Sequence, residues 1–385
     1  MSSEHKHIRV SAPLGTNTIT LETGKLAKQA GGSIVIQSGD TMVLVTATAA
    51  KDPKKDIDFL PLTVDYIEKT FAAGKIPGGF FKREGRPSET ATLTSRFIDR
   101  PLRPLFPENY FCETQVIATV LSFDPDHDPD ILAITAASAA LIISDVPFTK
   151  PVAGCRVGRV DGQYVINASS VVMENSDIDL IVVASSDAVV MVEGGASEAS
   201  EKDIADAISH AHKAVLPLIQ LQIELMGKCG KPKREVPPST KDVTVTEKVS
   251  GYEKSVHDAM KISVKQDRYK TLSDIKQRIV ADLYPDEATR EPKKLAQISS
   301  DYEDLKAKVM RTMILKDHKR IDGRGLADIR PITCEAGILP RTHGSGLFTR
   351  GETQALVVAT LGSTDDEQMI DAMAGSTTKK IHVTL

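Results

Sequence analysis

The sequence has little of what marks a secreted, disulfide-linked or membrane-spanning protein. It contains no tryptophan, 4% aromatic residues and only four cysteines in 385 residues. The cysteines lie far apart and no two have metal-ligand spacing, so we expect buried or inert thiols in a reducing cytoplasm. No apolar run is long enough for a transmembrane helix, and the N-terminus has no secretory h-region. We therefore expect a cytoplasmic protein without a membrane partner.

What remains is an ordinary globular composition, with 41% hydrophobic and 26% charged residues. A chain of 385 residues is long enough for two or three domains, each with its own core. The net charge of −4 does not favour a polyanionic partner for the chain as a whole. A nucleic-acid site would have to be a local basic patch.

The chain contains a long-range internal repeat. Residues 39–48 read GDTMVLVTAT and residues 351–360 read GETQALVVAT, with an offset of 312 and six of ten positions identical. The match extends upstream with one residue of slippage, where Gly24 corresponds to Gly337. A period this long indicates a duplicated domain rather than a solenoid. The second copy begins near residue 320, and we expect it to be incomplete at Leu385.

The N-terminal part of the chain, residues 1–230, alternates between strand and helix patterns. Apolar β-branched runs predict strands at 41–48 and 114–122, and the Ala-rich run 129–143 predicts a buried helix. The Asp161-Gly162 pair predicts a two-residue hairpin. Ser200 is placed to cap a long helix, with Asp203 in its first turn. The pattern indicates an α/β (α+β) domain over this part of the chain.

Residues 231–316 have a different texture. The stretch KPKREVPPST reads as a linker, and Gly251 is the only glycine in this part of the sequence. Lysine and glutamate fill the gaps between spaced apolar residues, which is typical of a small all-helical domain. Pro285 and Pro292 are expected to separate its helices. Glycine and strand patterns return over 317–385 with the second copy.

Residues 71–106 carry the main functional signal. Seven basic residues between Lys75 and Arg103 oppose three acids, a local balance of +4. Phe80 and Phe81 directly precede Lys82 and Arg83 in a glycine-rich stretch. Aromatic rings that stack on bases, beside cations that hold phosphates, are what single-stranded RNA binding needs. The alternative is that the phenylalanines belong to the core.

A helix is expected to follow this stretch, capped by Ser88 and stopped by Pro101. Arg96 and Arg100 are four residues apart and would share one helix face, where two guanidinium groups can hold a phosphate or a carboxylate. The alternative is ordinary ion pairing with nearby acids. From the residues alone, both interpretations stay open.

Several strings resemble the polynucleotide phosphorylases of the RNase PH superfamily. They are FAAGKIPGGFFKREGRP and RFIDRPLRPLFP in the first copy, RIDGRG at 320–325, and LPRTHGSGLFTRGETQALVVATLG at 339–362. The resemblance spans nearly the whole chain in the family's order. It implies an RNase PH-like domain (ribosomal S5 domain 2-like) at 1–230, an all-helical domain at 231–316 and an incomplete second RNase PH-like domain at 317–385.

The resemblance also implies an activity. The family degrades single-stranded RNA processively from the 3′ end in mRNA turnover, with inorganic phosphate as nucleophile and Mg²⁺ as cofactor. Members form homotrimeric rings, with possible links to RNA-degradation complexes. The loop matching Phe80, Phe81, Lys82 and Arg83 grips RNA in the channel, with Arg86 beside it. The family usually has arginine where Lys82 stands, so a bidentate phosphate fork is lost there.

The same resemblance places the family's phosphate-binding and metal-binding groups beyond residue 385, so neither catalytic residues nor metal ligands are expected in this chain. A non-catalytic RNA-binding fragment or ring component is therefore the alternative function. Channel candidates that remain are Arg96, Arg100, Arg103, His343 and Arg350. The acidic run 124–130 around His127 reads as a solvated loop in preference to a metal site.

Overall fold

The computed structural model describes residues 6–54, 57, 59–78, 82–236, 241–286 and 290–381. The chain divides into two compact units. The first comprises Met1–Pro238 together with Glu367–Leu385, and the second comprises Ser239–Asp366.

The first unit contains two main sheets and four helices among the described residues. Its strands are β1 (Ile8–Leu14), β2 (Asn17–Thr23), β3 (Gly32–Ser38), β4 (Thr41–Pro53), β5 (Leu62–Glu68), β6 (Cys112–Ser122), β7 (Ala153–Val160), β8 (Gln163–Ile166), β9 (Ile178–Ala184) and β10 (Val189–Ala196). Its helices are α1 (Glu89–Leu102), α2 (Pro129–Ile143), α3 (Ser170–Met173) and α4 (Glu201–Cys229). The six-stranded sheet has the order β1-β2-β3-β4-β6-β5, and the four-stranded sheet has the order β10-β9-β7-β8.

Helix α2 lies at the centre of the first unit. It packs against β3 and β4 of the larger sheet and against β7 of the smaller one. Fourteen of its residues are buried and only Asp130 is not, because the helix is surrounded by protein on every side. The Ala-rich composition lets both sheets approach the helix closely. The predicted buried helix is confirmed with the same bounds.

Local turn and cap signals work as the sequence predicts. Asp161 and Gly162 join β7 to β8 with φ angles of 49° and 76°, the left-handed geometry that a type I′ hairpin turn requires. The Ser200 side chain accepts the backbone N–H of Asp203, and the Asp203 carboxylate accepts that of Ser200, which makes a capping box at the start of α4.

One local expectation is wrong, and it concerns the end of α1. Helix α1 does not stop before Pro101 but includes it and ends at Leu102. The proline costs one backbone hydrogen bond in the last turn, which a packed helix tolerates because Pro101 and Leu102 are both buried. Cys334 is exposed, whereas Cys112 and Cys155 are buried as expected. Burial raises the pKa of the Cys155 thiol to about 12.

The segment 231–236, expected to be linker, is tied to the first unit. The ammonium of Lys233 donates to three carbonyl oxygens at the end of α2, those of Leu141, Ile142 and Ser144, at 2.7–2.9 Å. Arg234 forms an ion pair with Asp145 at 2.8 Å. These bonds satisfy carbonyl groups that a helix C-terminus leaves open.

The second unit begins with a helical region. Its helices are α5 (Val243–Ser250), α6 (Glu253–Met260), α7 (Lys265–Leu283) and α8 (Pro292–Asp317), which share a separate core. Tyr302 is fully buried in that core, and its hydroxyl donates to the Leu272 carbonyl at 2.7 Å. The predicted all-helical region is confirmed, and α8 begins at Pro292 as expected.

The repeat is visible in the strands that follow, which are β11 (Ile332–Ala336), β12 (Gly344–Arg350) and β13 (Thr353–Ala359). In the first copy Gly32 pairs with Ala47, and in the second Gly344 pairs with Ala359, at the same offset as the sequence repeat. Both hairpins turn at a glycine with positive φ, 53° in the first copy and 62° in the second. The duplication therefore extends to strand register.

A last hairpin belongs to the first unit. Strands β14 (Gln368–Ala372) and β15 (Gly375–Lys379) pair in register, and Met373 between them packs against the main core. By sequence this hairpin belongs to the second copy of the repeat. Its contacts, however, are with residues far earlier in the chain.

Candidate functional site: the basic loop

The described residues of the predicted RNA-binding stretch lie between β5 and α1, in α1 and directly after it. A short 3₁₀ turn, Thr70–Ala73, ends at Gly74 with φ of 67°. Only a residue that tolerates the left-handed region suits that position. We call residues 75–88 the basic loop. Phe80 and Phe81 lie outside the described residues.

The far end of the basic loop is fixed by Ser88. Its hydroxyl accepts the backbone N–H of Ala91 at 2.9 Å, which caps α1 as predicted, and lies 3.1 Å from a carboxylate oxygen of Glu68. Burial raises the pKa of Glu68, a shift that the bond from Ser88 partly offsets. The cap thus orients the start of α1 and the end of the loop together.

Three cations in the second half of the basic loop face solvent. Lys82, Arg83 and Arg86 are all exposed, and Lys82 has a φ of 49°, which is uncommon for a residue with a side chain. Glu84 pairs with Lys69 at 3.8 Å. Exposed lysine and arginine side chains can contact the phosphate groups of a nucleic acid.

The arginines on α1 differ in how they are engaged. Arg96 is exposed, and Arg100 one turn later forms an ion pair with Glu193 on β10. Arg103 is bound to Asp99 at 2.6 and 3.0 Å and donates to the carbonyls of Leu60 and Leu62. Arg103, directly after α1, thus connects that helix to the start of β5, while Arg96 is accessible to an anion.

His343 and Arg350 lie in the second unit. The Nδ1 atom of His343 accepts the backbone N–H of Leu361 at 2.9 Å, so the ring closes the end of the strand pair. Arg350 is exposed at the end of β12, directly before the Gly351 turn. His343 therefore has a structural hydrogen bond, and Arg350 is accessible to solvent.

The acidic run 124–130 is not a solvated loop as predicted. Thr41 donates to the carbonyls of Asp124 and His127, and the ring of His127 lies 3.2 Å from the Ser38 hydroxyl. Only Pro125 and Asp126 are exposed in this run. Across the described ranges, no three His, Cys, Asp or Glu side chains come together as a metal site.

Two features of possible function were not found from the sequence. The β14–β15 hairpin contacts Lys75 in the basic loop and Glu89 directly after it, a contact between segments far apart in the sequence. In the helical region Tyr269 is 60% exposed, with the Lys265 ammonium and the Arg268 guanidinium each 5.9 Å from its ring centre. Aromatic rings beside cations are the basis of the RNA-binding prediction at Phe80 and Phe81, and Tyr269 has the same combination.

Comparison with known proteins covers nearly the whole chain. The model of the 3′ exoribonuclease family, domain 1, matches residues 16–147 and 328–384, so it falls on both copies of the repeat. The domain 2 model of that family matches residues 150–214. The model described as polyribonucleotide nucleotidyltransferase, RNA binding domain, matches residues 244–325.

Curated relatives match at about half identity. A polyribonucleotide nucleotidyltransferase of Geobacter sulfurreducens is 51% identical over 379 residues, covering 98% of this chain and 53% of the relative. One from Anaeromyxobacter sp. (strain K) is 52% identical over 383 residues, covering 97% and 53%. The chain spans about half the length of these relatives. Among solved structures, rice Rrp46 matches with a TM-score of 0.41 and 16% identity, over 58% of this chain and 94% of that one.

Within the described residues, no helix is both long and apolar enough to cross a membrane.

Proposed function

The chain belongs to the polyribonucleotide nucleotidyltransferase family, and from this premise we propose that its protein degrades single-stranded RNA from the 3′ end by phosphorolysis. The observation that carries the proposal is 51% identity over 98% of the chain to a relative of that name. An oxygen of inorganic phosphate attacks the terminal phosphodiester phosphorus, the bond to the 3′ oxygen breaks, and that oxygen takes a proton. The products are a nucleoside diphosphate and RNA shortened by one residue.

The role of this chain in that reaction is RNA binding by the basic loop. Lys82, Arg83 and Arg86 supply positive charge on an exposed loop, and Arg96 adds an accessible guanidinium on α1. Phosphate contacts of this kind hold RNA regardless of sequence, which suits an enzyme that moves along a strand.

The helical region adds a second RNA contact in this proposal. Its match is to a domain described as RNA binding, and Tyr269 offers an exposed ring with cations close to it. Bases of any kind can stack on such a ring, since every base has a π-face.

The described residues contain no group of three His, Cys, Asp or Glu side chains that could hold Mg²⁺, the cofactor that the resemblance implies. No step of the reaction is therefore assigned to a metal held by these residues. The second candidate function is RNA binding without catalysis by this chain, since the chain spans only about half the length of its relatives.

One assay separates the two candidates. The purified chain is incubated with poly(A), inorganic phosphate and Mg²⁺, and ADP release is measured by chromatography. Release of ADP that depends on phosphate establishes catalysis by this chain. A folded chain that binds RNA and releases no ADP is the non-catalytic component.

A substitution tests the basic loop directly. We expect Lys82→Ala/Arg83→Ala to weaken binding of a labelled single-stranded oligoribonucleotide roughly tenfold at low salt, because phosphate contacts are lost. The slope of log affinity against log salt should fall by about 1.4, since each lost contact removes about 0.7 on single strands. Fluorescence anisotropy measures both.

The matched control is Lys202→Ala/Lys228→Ala, which removes two exposed lysines of α4 that pair with Asp206 and Glu224. It changes net charge by the same amount and should leave affinity within about twofold. Equal effects of the two double variants would show that overall charge, not the basic loop, sets RNA affinity.

We also propose, at the level of the whole protein, a homotrimeric ring acting in cytoplasmic mRNA turnover, with possible partners in an RNA-degradation complex. Light scattering of the purified protein tests the ring, since a trimer has three times the mass of the chain.

A further inference from the structure

The β14–β15 hairpin contacts the first end of the basic loop. The Lys75 ammonium donates to the Ala372 carbonyl at 2.7 Å and lies 3.7 Å from the Asp371 carboxylate. Gly78 is close to the same carboxylate, since a Cβ built there would lie 3.5 Å from it. One strand end of the hairpin therefore binds the stretch that leads into the loop.

The other strand of the hairpin contacts the far end. The Lys379 ammonium lies 2.8 Å from the Glu89 carboxylate, and Glu89 is the first residue of α1, directly after the Ser88 cap. This hydrogen-bonded ion pair lowers the pKa of Glu89. The hairpin itself is anchored by Met373, which packs against the main core. Both ends of the basic loop are thus held by one anchored element.

We propose that the β14–β15 hairpin is a clasp that holds the basic loop in position for RNA. In this role Lys75, Glu89, Asp371 and Lys379 are positioning residues that act through the loop. The inference rests on the proposed function of the basic loop. It adds that a segment at positions 368–379 sets the affinity of a site built by positions 75–88.

The physical reason is conformational entropy. A glycine-rich loop that is tied only through its own chain ends samples many conformations, and RNA binding has to restrict them. Fixing both ends before RNA arrives reduces that cost, so affinity rises without a new contact to RNA. Because these ion pairs are exposed, each should contribute only a modest factor.

The sign of the effect distinguishes a clasp from simple electrostatics. Glu89→Gln and Asp371→Asn each remove a negative charge, so charge alone predicts tighter RNA binding. The clasp predicts weaker binding, by about two- to fivefold for each variant, since an exposed ion pair contributes little more than that. Each variant also touches a second feature, since Glu89 lies in the first turn of α1 and Asp371 accepts a hydrogen bond from the Ser376 hydroxyl at 3.4 Å.

Backbone hydrogen exchange without RNA reads the clasp separately from RNA binding. We expect peptides that cover residues 74–88 to exchange about two- to fivefold faster in both variants, since local opening becomes easier. The charge swap Glu89→Lys/Lys379→Glu should restore exchange and affinity toward the parent values. The control Asp206→Asn breaks an exposed ion pair on α4, in which the Lys202 ammonium lies 2.6 Å from the Asp206 carboxylate, and should change neither readout.

The outcomes are separable. Unchanged exchange in Asp371→Asn and Glu89→Gln overturns the clasp, whatever the RNA affinity. Faster exchange with equal or tighter RNA binding overturns its role in RNA binding. Failure of Lys82→Ala/Arg83→Ala to weaken RNA binding overturns the proposed function instead, and it leaves the exchange result to report on the hairpin alone.

Discussion

Strands β3–β4 and β12–β13 are two versions of one hairpin in different surroundings. Their registers agree at the offset of the repeat, and both turn at a glycine with positive φ. In β4 the alternate residues are buried, whereas every residue of β13 is exposed. Strand pairing and turn geometry therefore follow from local sequence, while burial depends on whether another element covers the strands.

In the first copy the covering element is α2. Gly32 at the start of β3 lies so close to this helix that a Cβ built on it would be 2.0 Å from the Ala140 carbonyl oxygen. The equivalent Gly344 would meet only the Ala359 Cβ at 3.5 Å, an ordinary contact. The same residue type is therefore required by packing in one copy and merely tolerated in the other.

The largest expected effect comes from these two glycines. Gly32→Ala should destabilise the first unit by about 3 kcal/mol, because the new methyl group must displace helix backbone. Gly344→Ala should change stability by less than about 0.5 kcal/mol, since nothing needs to move. Urea unfolding followed by circular dichroism measures both. Similar losses in the two variants would mean that α2 does not pack as described.

A pair of valines at equivalent positions tests the same difference in burial between the two hairpins. Val45 is fully buried in β4, and its counterpart Val357 in β13 is 61% exposed. Val45→Ala should cost about 2 kcal/mol through lost apolar burial and a small cavity, and Val357→Ala should cost less than about 0.5 kcal/mol. Differential scanning calorimetry gives the change in melting temperature for each variant. A large loss at Val357 would show that the β13 face is covered in solution.

The smallest expected effect concerns α2, the helix that covers the first copy of the hairpin. Burial, with a smaller contribution from Asp128, raises the pKa of Asp130 in the first turn of α2 to about 6. The folded state then binds more protons than the unfolded state between about pH 4 and 6, so this group makes stability fall as pH rises through that window. Above it, the cost of the buried charge is fully present.

Asp130→Asn should therefore flatten the dependence of stability on pH over that window. At pH 7 it should raise the free energy of unfolding by about 1 kcal/mol, less than a full shift would imply because Asp130 is only half-buried. Urea unfolding at pH 4.5 and pH 7 measures the difference. Parallel pH profiles for parent and variant would contradict the assigned pKa.

Much of the fold could be predicted because its signals are local. The bounds of α2, the Asp161-Gly162 turn and the Ser200 capping box depend on residues within a few positions of one another. The family could also be predicted, since long strings such as FFKREGRP carry it. Matches along the chain confirm that it belongs to this family.

The partners of the predicted site residues could not be predicted in the same way. Arg100 on α1 pairs with Glu193 on β10, and Lys75 in the basic loop meets Asp371 and Ala372 of the late hairpin. No local pattern encodes such pairs, because they form only when elements that are distant in the sequence pack together. The basic loop was found through composition, and the hairpin that contacts it was not.

The sequence alone is enough to predict the duplication, the helical region and the family. These follow from periodicity, turn chemistry and direct similarity, which act over short stretches of chain. Only the tertiary structure decided which copy is buried, which arginines are engaged in ion pairs, and that a late hairpin holds both ends of an early basic loop. The physical reason is that burial and ion pairing belong to pairs of elements, whose meeting depends on the packing of the whole unit.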